Sequence, residues 1–174
     1  MPLVRIAKDM QIIDNDGFLA IVGSSKFNSF LTEDWELDQL MNHFVEQMNQ
    51  GHFLIWRTGY EGGTWNVDFV FERSDADSYR EFEATIEVTN EKLFLTEYAD
   101  LTMAASYPEQ KIPSTHNSNL YFELLNGLYS VTVRQLFNPE LDDERLELKT
   151  NFEIVLTPSS AELTNNFKRV PWFK

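Results

Sequence analysis

The chain has 174 residues, with 28 Asp and Glu against 14 Lys and Arg, for a formal net charge of −14. A carboxylate excess of this size is repelled by nucleic-acid backbones and anionic lipid and attracts basic protein surfaces. Neither nucleic acid nor membrane is therefore an expected partner. The absence of cysteine excludes disulfides, zinc ribbons and thiol nucleophiles.

An aromatic share of 14% separates the chain from the aromatic-poor acidic tails that stay disordered. Its length suits a single domain over residues 1–174, with enough mass to bury a core. Arg5, Lys8, Asp9 and Gln11 interrupt the first thirteen residues, unlike the apolar run of a signal peptide. No stretch approaches the ~18 apolar residues that suggest a membrane span. The expected location is the cytoplasm.

In chain order, apolar runs at 11–14 and 18–22 flank Asn15-Asp16-Gly17, and Asp-Gly in that setting predicts a hairpin. A helix is expected over roughly 33–50. Thr32 is its expected N-cap, Glu33, Asp34 and Glu36 complement the dipole of the first turn, and Gly51 ends it. Leu37, Leu40, Met41, Phe44, Val45 and Met48 recur at three- and four-residue steps and form one apolar stripe. His43 falls on the polar side of that stripe.

After Gly51 the period becomes two. Residues 52–58 read as a strand. From 64 to 72, Trp65, Val67, Phe69 and Phe71 oppose Asn66, Asp68 and Glu72. In the next strand Phe82, Ala84, Ile86 and Val88 face inward, and Glu81, Glu83, Thr85 and Glu87 face outward. A strand follows at 92–96, residues 101–106 stay open between readings, and 107–119 is a loop. Segments 120–125 and 128–137 flank Asn126-Gly127, which predicts a second hairpin. An acidic loop at 139–145 precedes a final strand at 146–156. The expected fold is mainly β: an antiparallel β-sandwich of about eight strands with one amphipathic helix near the N-terminus.

No catalytic signature stands out, so the chain reads as a non-enzymatic protein without a cofactor. His43, His52 and His116 lack metal-ligand spacing, and no metal site is expected. Asp14-Asn15-Asp16-Gly17 fails as a calcium loop, because Ile12 and Gly23 would occupy the first and last ligand positions. Residues 59–64 are glycine-rich but lack the lysine of a phosphate loop.

Eleven carboxylates lie between Glu61 and Asp100 against Arg73, Arg80 and Lys92. Alternate residues on one strand face stand about 6.6 Å apart, given a rise of ~3.3 Å per residue. Glu81, Glu83 and Glu87 would then form a row of charge able to imitate a phosphate backbone. Asp142, Asp143 and Glu144 form a second cluster. Both are expected contacts for a basic protein partner, a nuclease or toxin that this chain would inhibit. The plainer reading is solvated strand residues that deter edge aggregation. Trp56, Tyr60 and Trp65 offer an alternative aromatic platform for a small ligand or carbohydrate, or else they are core aromatics beside a hairpin. Lys168, Arg169 and Lys174 follow the last acid and would pair with the chain's own acidic face or with a second subunit, so a homo-oligomer remains open.

Asp34-Trp35 at a helix start, the alternating strand at 82–88, and the strand–turn–strand at 121–131 together resemble the competence protein J family. The resemblance runs from about Asp34 to Phe137 and implies a small protein that inhibits a DNA-entry nuclease. It carries over no individual inhibitory residue.

Overall fold

The computed structural model describes residues 8–59, 62–141 and 149–173. These form nine strands and two α-helices. The strands are β1 (Lys8–Asp14), β2 (Phe18–Val22), β3 (Phe53–Arg57), β4 (Gly63–Val70), β5 (Arg80–Val88), β6 (Lys92–Glu97), β7 (Tyr121–Glu123), β8 (Gly127–Gln135) and β9 (Phe152–Pro158). Helix α1 (Leu37–Asn49) lies between β2 and β3, and α2 (Tyr98–Ser106) follows β6. The strands pair as a five-stranded sheet in the order β1-β4-β9-β8-β5 and a four-stranded sheet in the order β3-β2-β6-β7. One apolar cluster between them draws on all nine strands and both helices.

Neither predicted hairpin exists. β1 pairs with β4 in the larger sheet and β2 with β3 and β6 in the smaller one, so the Asp-Gly turn is a corner between sheets. The same holds at Asn126-Gly127, where β7 pairs with β6 and β8 with β5 and β9. A two-residue type I′ hairpin needs positive φ at both central residues. Here Gly17 and Gly127 have positive φ, and Asp16 and Asn126 do not. Nor is the assembly wholly antiparallel: β9 enters beside β4 in parallel register, Val67 opposite Phe152.

The first corner is held by Asp14, which is 1% exposed. Its Oδ1 accepts hydrogen bonds from the backbone N–H of Asp16, Gly17 and Phe18 at 3.0, 2.8 and 3.2 Å. Its Oδ2 accepts from Thr58 Oγ1 at 3.0 Å and Trp65 Nε1 at 3.1 Å. One carboxylate thus ties the turn to the end of β3 and to β4. The chain crowds it closely. A Cβ on Gly62 would fall 1.9 Å from the Asp14 carbonyl oxygen.

Helix α1 starts four residues later than its sequence suggests. Leu31 and Thr32 donate their backbone N–H to the Ala105 carbonyl, which ties that stretch to the end of α2. Glu36 then becomes the N-cap, with its N–H donated to Gln39 Oε1 at 2.7 Å. Leu40, Met41, Phe44 and Met48 are buried, and each contributes on the order of 1.5–3 kcal/mol. Leu37 is left outside, and His43 is buried against the Asn28 carbonyl. Gly51, with φ of 77°, follows the C-cap. Residues 98–106, partly left open by pattern, form α2 because the Glu97 carboxylate caps the backbone N–H of Ala99 and Asp100.

The tail after β9 covers one side of both sheets. Asn165 accepts from Thr85 N at 2.8 Å and donates to Thr85 O at 2.6 Å, completing the outer edge of β5 with a side-chain amide. Further along, Pro171 O accepts from Arg57 N on β3. Such cover protects edges that would otherwise template strand addition.

Asp14→Ala is expected to lower unfolding free energy by about 3 kcal/mol, because it leaves several buried donors without an acceptor. A urea titration should show a lower midpoint at unchanged slope. Asp14→Asn, which keeps the shape but only one accepting oxygen, should fall between that variant and the parent.

Candidate functional site

Strand register sets the charges on the outer face of the larger sheet. Asp9 stands opposite Asp68, Asp68 opposite Glu153, Glu153 opposite Arg134, and Arg134 opposite Glu81. One row therefore crosses all five strands with four acids and a single arginine. Arg134 and Glu153 are buried and paired at 2.5 Å, and Arg134 also donates to the Ala76 carbonyl and to Glu81 Oε2 at 3.2 Å. Burial raises the Glu153 carboxyl, but hydrogen bonds from Ser74 and Arg134 outweigh it and hold the group below the usual carboxylate range. At the other end burial raises Asp68, reinforced by Asp9 and Glu153 and opposed by its Thr150 hydrogen bond.

The expected row on β5 is unevenly available. Glu81 accepts from Ser78 at 2.9 Å, Arg73 at 3.0 Å and Arg134 at 3.2 Å. The Ser78 hydrogen bond and then those arginines hold its carboxyl below the usual range. Glu87 pairs with Lys26 at 3.5 Å. Glu83 is exposed and has no ion-pair partner among the described residues. Asp142, Asp143 and Glu144 lie outside the described residues.

Two of the three residues of the expected aromatic platform are core side chains. Trp56 and Trp65 are 0% and 1% exposed, packed among Phe82, Phe137 and Phe152. Trp65 sits at an inward position of alternating β4, and Trp56 lies in β3, where Phe53 to Trp56 are buried in succession. Tyr60 lies outside the described residues. His52 is buried too, with Nδ1 2.7 Å from Gln47 Oε1, and burial lowers its pKa against the pull of Glu87.

Two features escaped the sequence reading. The first gathers where α1 begins and α2 ends, joined by the Leu31 and Thr32 bonds to Ala105 and by Trp35 Nε1 donating to Ser106 Oγ at 2.8 Å. Around this junction Phe30, Leu37, Met103 and Tyr107 are 37%, 48%, 48% and 44% exposed. Met103 and Tyr107 are successive on one face, since Tyr107 N donates to Met103 O. Glu33, Asp34, Glu36 and Asp38 are exposed beside them, and none forms an ion pair among the described residues. No Lys or Arg occurs between Lys26 and Arg57. That thirty-residue gap was the available sequence signal.

The second is a cleft of about 280 Å³ lined by Arg57, Tyr79, Arg80, Glu140, Trp172 and Phe173, with Gly59 and Pro139 completing it. Its members come from four distant segments, so no local motif announces it. Among the described residues no group of His, Asp and Glu is placed to hold a metal, and no helix is long and apolar enough to cross a membrane.

No family model and no curated protein sequence matches the chain. Solved structures do. The crocagin biosynthetic gene J protein superposes with a TM-score of 0.60 at 9% identity, covering 90% of this chain and 99% of its own. ComJ from Bacillus subtilis, the inhibitor of the DNA-degrading activity of NucA, superposes with a TM-score of 0.52 at 12% identity, covering 87% and 96%. The chain thus has a two-sheet, mainly β architecture seen in both proteins. Its resemblance to the ComJ fold runs across most of its length, well beyond the stretch its motifs mark.

Asp68→Asn gives a direct check on the charged row. A carboxyl whose pKa is raised by folding contributes stability at low pH, and that contribution is lost as pH rises through the folded value. The variant should therefore gain stability relative to the parent at pH 7 and gain less at pH 4. Urea midpoints at the two pH values measure it.

Proposed function

We propose that this protein is a non-enzymatic binding protein that occupies the basic surface of a nuclease, or of a comparable cationic protein, and blocks it. Fold likeness to a nuclease inhibitor supports the class. The observation that carries the reading is the junction of α1 and α2: four exposed apolar side chains beside four carboxylates that form no ion pair among the described residues. Protein interfaces combine an apolar centre with a polar rim. The carboxylates steer a cationic partner inward and the apolar group holds it, so charge governs the association rate and apolar burial the dissociation rate.

The β5 row enters this proposal in a narrower form. Glu83 is its most available member, because Glu81 and Glu87 are engaged by the protein's own cations. It supplies an outlying contact to the same kind of partner.

The test begins with capture on immobilised protein at low salt, elution at high salt, and assay of the eluate for DNA degradation. Added wild-type protein should suppress that degradation. Reversal of three rim charges (Glu33→Lys, Asp34→Lys, Glu36→Lys) should slow association with the captured nuclease about tenfold or more at low salt, and less at high salt. Met103→Ser with Tyr107→Ser should instead speed dissociation. If both sets inhibit like the parent, this face is not the contact; Glu83→Lys then tests the β5 row. A captured nuclease indifferent to the added protein refutes the inhibitor reading itself.

A further inference from the structure

We propose that the cleft between Arg57, Arg80 and Trp172 is a binding site for an aromatic carboxylate, either a free aromatic acid or a peptide ending in an aromatic residue. This goes beyond the acidic face, since the cleft is a separate place lined by two arginines and aromatic rings.

Both guanidinium groups are held in place before any ligand arrives. Arg57 Nη1 donates to the Asp16 carbonyl at 2.9 Å, and the group lies 4.9 Å from the Phe18 ring centre. Arg80 donates to Gln135 Oε1 and, at 3.5 Å, to the Arg57 carbonyl. It lies 4.4 Å from the Trp172 ring centre and 5.7 Å from that of Tyr79. Aromatic faces attract such cations, and a side chain fixed in advance loses less entropy on binding. Each guanidinium carries five N–H donors in a planar fork, suited to carboxylate oxygens, so a ligand can share an arginine that already has protein partners.

The walls select for a ring. Trp172 is itself fixed edge-on to Phe82 at 5.2 Å, and Phe173 packs on Phe18 at 5.3 Å. A volume of about 280 Å³ is near the lower limit for ligand pockets, suited to one ring system with a short carboxylate arm. In a chain with twice as many acids as bases, two arginines line this one cleft. Glu140 also lines the cleft and opposes a second negative charge. The site should therefore favour monoanions over dianions.

The probes are N-acetyl-phenylalanine and a short peptide ending in phenylalanine, each beside its C-terminal amide. Trp172 should report binding as a saturable change in fluorescence, with calorimetry as a readout independent of any tryptophan. Each acid should bind about tenfold or more tightly than its amide, the margin expected of charge-assisted hydrogen bonds. Arg80→Gln and Arg57→Gln should each lose about as much, Arg80→Lys should recover part of it, and Glu140→Gln should tighten binding. A free acid that binds as well as the peptide points to a small-molecule ligand, and preference for the peptide points to a chain terminus. The amide comparison needs no variant, so a poorly folded arginine variant cannot obscure the result. Equal binding of acid and amide, unchanged binding in both glutamine variants, or no signal at millimolar probe would overturn the proposal.

Discussion

The architecture depends on one buried carboxylate. Asp14 ends β1 at a point where the chain must leave one sheet and enter the other, and its two oxygens have separate duties. Oδ1 organises the turn through three backbone N–H groups, and Oδ2 holds Thr58 and Trp65 from the strands on either side. A hydroxyl or an amide side chain lacks this double accepting capacity. An unpaired carboxylate in the same place would be costly, and it is the number of donors around Asp14 that makes its burial tolerable. Trp65 in turn stacks on Phe137 and meets Phe152 edge-on, so the corner is continuous with the aromatic core.

This corner also explains why the chain is only partly legible from its residues. Period-two alternation located β4 and β5 and assigned their buried faces, because side-chain direction in a strand is a local property. The partner of a strand is not. Asp-Gly and Asn-Gly announce a reversal, but whether it folds a strand back onto its neighbour or carries the chain across the core depends on contacts far away in sequence. At the first reversal the deciding groups are Thr58 and Trp65. At the second, Asn126 Oδ1 accepts a hydrogen bond from Glu91 N, 35 residues away. The parallel entry of β9 beside β4 is likewise a long-range outcome.

The helices show the same division. The spacing of Leu40, Phe44 and Met48 marks α1, yet its start is set by Ala105, which accepts the N–H groups of Leu31 and Thr32. Glu97 caps α2 from a buried position, and burial raises its carboxyl while Asp100 and Asp14 raise it further, against the opposing backbone hydrogen bonds. Nothing in the composition of 97–106 displays that role. Leu37 belongs to the apolar stripe by spacing and to the solvent by position, since the stripe overruns the sheet that covers the rest of it. The surface reading failed for a related reason. Acids could be counted, but not the arginines that register places beside them, and Arg134 reaches Glu81 and Glu153 only because β8 lies between β5 and β9.

Net charge consequently says little about where this protein can act. On the larger sheet the row runs Asp9, Asp68, Glu153, Arg134 and Glu81, and Arg134 offsets only the two acids on either side of it. Two places stand apart from that row. The stretch from Phe27 to Trp56 contains no lysine or arginine, and the acids of the α1 rim form no ion pair among the described residues. Arg57, the first cation after that stretch, lines the aromatic cleft together with Arg80. Helix α2 connects the two: Tyr98 at its start stacks on Phe18 beside Arg57 and Phe173, and Met103 and Tyr107 lie at its end. Nine helical residues span about 13 Å at 1.5 Å each, longer than the ~8–10 Å over which salt screens exposed charges at physiological strength. Charges at the two surfaces can therefore act separately on one small fold.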